Sequence, residues 1–205
     1  MERKDILELF ESTGALQHGH FLLTSGLHSS RYFQCAKVLQ YPQYNELLCG
    51  EIAKHFHDWK VDVVVAPAIG GIMVGQEVAR QLRVRGMFAE REDKSMAMRR
   101  GFEIKQGERV LVCEDVVTTG GSVKEVIDLV KSSGGVVIAV SSIVDRSAPK
   151  DGANIPPINF GTTFFPLLKM DVPTYKAENC PLCKENIPVV KPGSRKFDGV
   201  QSSKS

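Results

Sequence analysis

Residues Arg109 to Ser122 read RVLVCEDVVTTGGS, and this stretch decides how the rest of the chain is read. Val110 to Cys113 form an unbroken apolar run, the signal of a strand buried on both faces. Glu114 and Asp115 follow at its carboxyl end. Thr118, Thr119, Gly120, Gly121 and Ser122 then open a helix whose apolar positions Val123, Val126, Ile127 and Val130 share one face. Each part has a chemical use. Glycines turn tightly and let backbone amides approach an anion, and hydroxyls add donors at the positive end of a helix. The loop is therefore read as a cradle for a monophosphate. Its glycine spacing and the lack of a Gly-Lys-Ser or Gly-Lys-Thr ending exclude a Walker loop, and glycines placed after the acids exclude the dinucleotide fingerprint. A carboxylate pair would repel a bare phosphate but suits the two hydroxyls of a ribose whose 5′-phosphate lies in the loop.

Outward from this core, Val61 to Ala66 is a second buried strand, and Gly75, Val78, Ala79 and Leu82 recur at helical spacing after it. Met87 to Ala89 is a short strand candidate. On the other side, Gly134 and Gly135 close the helix and Val136 to Val144 is the next β-rich run. Strands alternating with helices predict an α/β fold with a central parallel sheet flanked by helices. Helical patterns at Asp5 to Phe10 and Tyr44 to Phe56 enclose a polar segment with Thr24, Ser25, Gly26, His28, Ser29 and Ser30. Proline-rich connections, the apolar run Phe164 to Met170 and Cys180-Pro-Leu-Cys183 end the chain. These flanks are too short for domains. The expectation is one domain over 1–205, with a core at about 45–150, a small hood from about 1–40 and 160–190, and a frayed tail at 196–205.

The chain of 205 residues is 42% hydrophobic and 24% charged, which is ordinary for a globular domain and excludes a disordered or fibrous protein. A net charge of +2 gives no field that would gather nucleic acid or anionic lipid, so an anion must be held locally. The run from Val63 to Gly75 is broken by Pro67 and falls short of a membrane span, and Met1 to Glu11 lacks the basic start of a secretory signal. A cytoplasmic protein with no membrane or nucleic-acid partner is expected. Five cysteines, three of them in apolar segments, read as reduced thiols.

The Val110 to Ser122 stretch resembles the signature of the type I phosphoribosyltransferases. That resemblance implies the fold of that family, Mg²⁺-dependent binding of phosphoribosyl diphosphate, and displacement of diphosphate by a nitrogenous base. Phe21 to Gln34 (FLLTSGLHSSRYFQ) is similar to the hood segment of the family's orotate-specific members, Ala66 to Ile72 (APAIGGI) to their diphosphate loop, and Val140 to Arg146 to the place where they keep an arginine. The similarity runs through most of residues 1 to 175 and into the CPLCKE region. It implies transfer of ribose 5-phosphate to orotate, giving orotidine 5′-phosphate for pyrimidine biosynthesis, by a homodimer. Carried over by position, Glu114, Asp115, Val116, Val117, Thr118, Thr119, Gly120, Gly121 and Ser122 would bind phosphoribosyl diphosphate, with Asp115 catalytic. Thr118 and Arg146 would contact orotate, whose carboxylate suits a planar guanidinium. Mg²⁺ would sit on substrate oxygens and water, with no protein side chain assigned to it. The chain departs from many members at Thr24, where a hood lysine is usual, and at Ile69-Gly70, where a tyrosine-lysine pair is usual.

Glu90 to Gly107 carries Arg91, Lys94, Arg99, Arg100 and Lys105 among acids. By itself it reads as a solvated hairpin. In the resembled family this position is a loop that closes over the neighbouring subunit's site, which makes Lys94 the candidate catalytic lysine and Arg91 a candidate diphosphate contact. Cys180 and Cys183 have the spacing of a zinc knuckle, but without a second such pair they are read as reduced cysteines in a turn, a site shared across a dimer being the alternative. His18 and His20 read as surface or hood residues. A purine-specific transferase and a non-catalytic sensor of phosphoribosyl diphosphate are the competing functions; no DNA-binding segment or basic excess favours the sensor.

Overall fold

A strand that is apolar at every position must be covered on both faces, because successive side chains point opposite ways. The computed structural model, which describes residues 1–23, 25–93, 95–147 and 158–192, meets that demand with two buried clusters. Val63, Val65, Val110, Val112 and Val140 pack on one side with Val123, Val126, Ile127 and Val130. Val64, Leu111, Ala139 and Ile143 pack on the other with Leu48, Ile52, Val74 and Val78.

In chain order the elements are helix α1 (Arg3–Ser12), strands β1 (Leu16–Leu22) and β2 (His28–Phe33), helices α2 (Ala36–Leu39) and α3 (Pro42–Phe56), and strand β3 (Val63–Pro67). Helix α4 (Gly71–Leu82), strands β4 (Arg85–Glu92), β5 (Ser95–Met98) and β6 (Arg109–Val117), helix α5 (Gly121–Ser132) and strand β7 (Val136–Asp145) follow. Strands β8 (Thr163–Lys169) and β9 (Thr174–Tyr175) precede a short 3-10 turn and helix α6 (Pro181–Lys184). The main sheet has the order β5-β4-β3-β6-β7-β8 and is parallel except for the edge strand β5, which turns back on β4. Helix α5 covers one face; α3 and α4 cover the other.

Two differences from the sequence expectation have physical causes. Strand β6 does not stop at Cys113: its ladder with β7 continues through Glu114↔Ser142 to Val117↔Asp145, so the acid pair is part of a strand instead of a loop. The run assigned to the hood at 160–190 begins with a core strand, because β8 extends the sheet beside β7 and its Leu168 is buried in the core. The segment from Glu90 contributes the antiparallel hairpin β4–β5, paired from Ala89↔Met98 to Glu92↔Ser95, in line with the hairpin reading of its charges.

The hood is a separate three-stranded sheet, β1-β2-β9, antiparallel throughout. Phe10 of α1 and Phe33 of β2 meet edge to face at 6.0 Å and anchor it to the core. The C-terminal segment runs beside β1: the Val190 N–H donates to the His20 carbonyl and the Leu22 N–H to the Val190 carbonyl, both at 2.8 Å. His18 is exposed, but His20 is buried at 3% exposure, so only the first of this pair is a surface residue. Thr24, Lys94 and the tail at 196–205 lie outside the described residues.

Candidate active site

Parallel strands present their carboxyl ends on one edge of a sheet, and there loops and helix starts supply polar groups for a ligand. Here β6 carries the acid pair near its carboxyl end, and the loop that follows wraps a small cavity of about 60 Å³ lined by residues from Glu114 to Val123. Gly120 sits at φ 72° just before α5, a conformation that glycine adopts freely. A Cβ there would also come within 2.9 Å of the Phe160 ring, so the loop needs glycine on two counts. The start of the twelve-residue helix α5 faces this cavity through Gly121 and Ser122.

The two acids are not equivalent. Glu114 is buried, and its Oε1 accepts the Asp115 N–H at 3.0 Å. Desolvation, with the Asp115 charge second, holds its carboxyl well above the ordinary carboxylate range. Asp115 is half-buried, its Oδ1 accepts the Val116 N–H at 2.8 Å, and it lines the larger neighbouring cavity. The loop after β3 approaches both acids closely. A Cβ on Gly70 would lie 2.7 Å from the Asp115 carboxylate, and one on Gly71 would lie 3.0 Å from that of Glu114. Gly70 and Gly71 thus bring the Ala66 to Ile72 segment against the acid pair.

The larger cavity, about 540 Å³, lies between hood and core. Its core side presents Asp115, Val116, Thr118, Thr119 and Arg146; its hood side presents Ser25, Tyr32, Phe33 and Thr174. Arg146 follows β7, with its backbone N–H held by the Val117 carbonyl at 2.8 Å. Its guanidinium lies 5.4 Å from the centre of the Phe33 ring, and burial lowers its pKa from the usual arginine value, leaving it a cation. The buried Arg146 Nε has no hydrogen-bond partner among the described residues, and neither does the Thr174 Oγ1 on the facing wall. Buried donors left unmade are costly unless a ligand completes them. The cavity therefore has a cationic, donor-rich end suited to a small planar anion.

The comparisons with known proteins agree with this geometry. Residues 43–158 match the model of the phosphoribosyl transferase domain. The orotate phosphoribosyltransferase of Caldanaerobacter subterraneus subsp. tengcongensis is 58% identical over 96% of this chain and 100% of its own. The chain belongs to the orotate phosphoribosyltransferase family. Solved structures carry the same fold at lower identity. That of the orotate phosphoribosyltransferase from Aeropyrum pernix aligns with a TM-score of 0.63 at 22% identity, over 80% of this chain and 93% of the other. Leishmania donovani UMP synthase aligns with a TM-score of 0.64 at 22% identity, and there the chain covers only 36% of the longer protein.

Among the residues expected from the sequence, the structure gathers Glu114 to Ser122 and Arg146 at one end of the sheet. It does not bring Arg91 there. Arg91 is on β4, paired with Glu125 of α5 at 2.8 Å, and no described residue of β4 or β5 lines the larger cavity. Arg99 and Arg100 pair with Glu90 and Glu92 of the same hairpin. Tyr32, Phe33 and Thr174 were not singled out from the sequence as lining residues. The aromatic pair inside FLLTSGLHSSRYFQ was the available signal for the first two; Thr174 carried none.

Proposed function

We propose that orotate occupies the Arg146 end of the large cavity and that the ribose of phosphoribosyl diphosphate lies over Asp115, with its 5′-phosphate in the Thr118–Ser122 loop. The observation that carries this reading is Arg146, a half-buried cation that lines a cavity shared with the family's signature loop and lies against the Phe33 ring. A carboxylate on a planar ring is the group a guanidinium accepts through two parallel hydrogen bonds. Tyr32 and Phe33 supply the apolar wall for the ring face.

The chain is an enzyme of the pentosyltransferase class. In the reaction, the bond from ribose C1 to diphosphate breaks and a bond from C1 to a ring nitrogen of orotate forms, through a transition state with oxocarbenium character. The part of this chain is positioning. Thr118 lies where orotate and phosphate cradle meet, Asp115 accepts the ribose hydroxyls and steadies positive charge on the ring, and the hood excludes water. Mg²⁺ fits the donors present, since the half-buried Asp115 carboxylate beside substrate oxygens suits a hard ion that keeps its waters, and when bound it would neutralise leaving-group charge. Glu114, turned inward onto the Asp115 amide, serves to set the Asp115 carboxylate.

The cationic part of the diphosphate site comes from the Glu90 to Gly107 segment of a second subunit, with Lys94 the catalytic lysine and Arg91 beside it. A homodimer is thus part of the proposal, as is a cytoplasmic setting, which the five free cysteines favour. No helix among the described residues is long and apolar enough to cross a membrane. The decisive assay is diphosphate release from phosphoribosyl diphosphate and Mg²⁺ with orotate, adenine, hypoxanthine or xanthine. Release with orotate alone is expected; turnover of a purine in its place would reject the assignment of the Arg146 pocket.

A further inference from the structure

One cluster outside the catalytic cavity has ligand chemistry that the transfer reaction does not use. His20 on β1, His28 on β2, and Cys180 and Cys183 around α6 each offer one ligand atom, and all four atoms lie within 4.8 Å of one another. The Cys180 Sγ is 3.5 Å and the Cys183 Sγ 3.7 Å from the His20 Nε2, and the Cys183 Sγ is 3.3 Å from the His28 Nδ1. An ion bound tetrahedrally at about 2.3 Å from sulfur and about 2.0 Å from nitrogen has sulfur–nitrogen edges of about 3.5 Å. The two ring nitrogens, now 2.6 Å apart, need only part by a fraction of an ångström to complete the same figure.

We propose that His20, His28, Cys180 and Cys183 hold one structural Zn²⁺. Two thiolates and two imidazoles form a donor set that selects zinc among divalent ions. Sulfur and nitrogen are interleaved at single-ion distances, which excludes a two-iron cluster whose histidines and cysteines sit on different irons. The outer shell is already in place. The His20 Nδ1 lies 2.7 Å from the Ile187 carbonyl, so a proton on Nδ1 satisfies that carbonyl and leaves the Nε2 lone pair for the metal. His20, His28 and Cys180 are buried and Cys183 is half-buried, which closes the site to substrate and marks it as structural.

The sequence alone suggested a reduced turn because it offered no second Cys-x-x-C pair; the missing ligands are histidines on the hood hairpin, some 160 residues upstream. An ion there would pin the C-terminal segment to β1 and β2, whose continuations Ser25, Tyr32 and Phe33 form the hood wall of the cavity. It would act as a cross-link that holds the hood in shape.

The test is independent of the catalytic reading, because its readout is metal content. The full-length chain, purified without metal-affinity steps and dialysed against a weak chelator, is expected to contain one zinc per chain by elemental analysis. Cobalt exchanged into it should give tetrahedral ligand-field bands with thiolate charge transfer. Cys180→Ser combined with Cys183→Ser should lose both signals, whereas His28→Cys, which keeps four ligands, should retain zinc. Stripping with a strong chelator should lower the Tm of the parent and leave that of the double serine variant unchanged. Three results would overturn the proposal: a zinc-free chain with freely alkylated thiols, a Cys180–Cys183 disulfide in the mass of the native protein, or undiminished zinc in the double serine variant.

Discussion

At Arg146 the cost of burial bears on the proposed orotate pocket. A guanidinium taken out of water costs free energy unless its donors are met, and here Nε is not met by protein while the Phe33 ring covers one face. A carboxylate bound in the cavity would offset that cost through the charge. Arg146→Ala is therefore expected to raise KM for orotate by about 30-fold or more, the range for truncating one partner of a buried charge pair, and to leave KM for phosphoribosyl diphosphate within about threefold; equal loss for both substrates would remove Arg146 from the orotate pocket. Asp115 faces the cavity without supporting the core, so Asp115→Asn should lower kcat by about 100-fold while melting stays within about 2 °C of the parent. Glu114 behaves oppositely. Its folded pKa is raised by desolvation, so its contribution to stability is full below the unfolded carboxyl pKa and is lost as pH rises through the raised folded value. Glu114→Gln has no proton to lose, and thermal melts of this variant should decline less than the parent's between about pH 5 and pH 8. Matching slopes would mean that another group carries the dependence.

The element that combines these residues is the turn from β6 into α5. Gly120 holds φ 72° and leaves room for the Phe160 ring, so Gly120→Ala adds about 1–2 kcal/mol of left-handed strain and pushes on that ring. Weaker binding of phosphoribosyl diphosphate with a Tm lower by several degrees is expected, measurable by calorimetry; parent-like affinity would show that the loop tolerates rearrangement. This turn was legible in the sequence because strand, acids, glycines and helix are consecutive, and local order fixes which residues line the small cavity. Other parts were not. The run Phe164 to Met170 is too short for periodicity to separate a core strand from a hood segment, and only its pairing from Ala139↔Thr163 onward decides. The extension of β6 through Glu114 and Asp115 depends on a long partner in β7, a property of the pair and not of either strand. His20 and Cys180 adjoin through the contact of two segments that sequence spacing does not relate.

For the whole molecule, the layout of the main sheet separates two halves of the chemistry. The signature loop and Arg146 follow β6 and β7, whereas the cation-bearing hairpin β4–β5 forms the opposite edge, beyond β3. There Arg91 pairs with Glu125, Arg99 with Glu92 and Arg100 with Glu90, and none of the three lines the cavity. Departing diphosphate carries several negative charges, and the Ala66 to Ile72 loop beside the acid pair has backbone and apolar groups but no cation to offer it. Two arrangements would supply positive charge: the hairpin segment reorganising over its own site, or reaching the site of a second copy. A twofold dimer distinguishes them arithmetically. If Lys94 acts across the interface, a mixed dimer of Asp115→Asn and Lys94→Ala chains has one site with both defects and one with neither. Random exchange of equal amounts makes about half the dimers mixed, so about a quarter of parental activity should return from two inactive preparations. If Lys94 acts within its own chain, each site of every dimer keeps one defect and mixing restores nothing. Equimolar subunits, unfolded together and refolded, then assayed for diphosphate release, decide between the two, and absent recovery with demonstrated exchange places the lysine in the same chain as the site it serves.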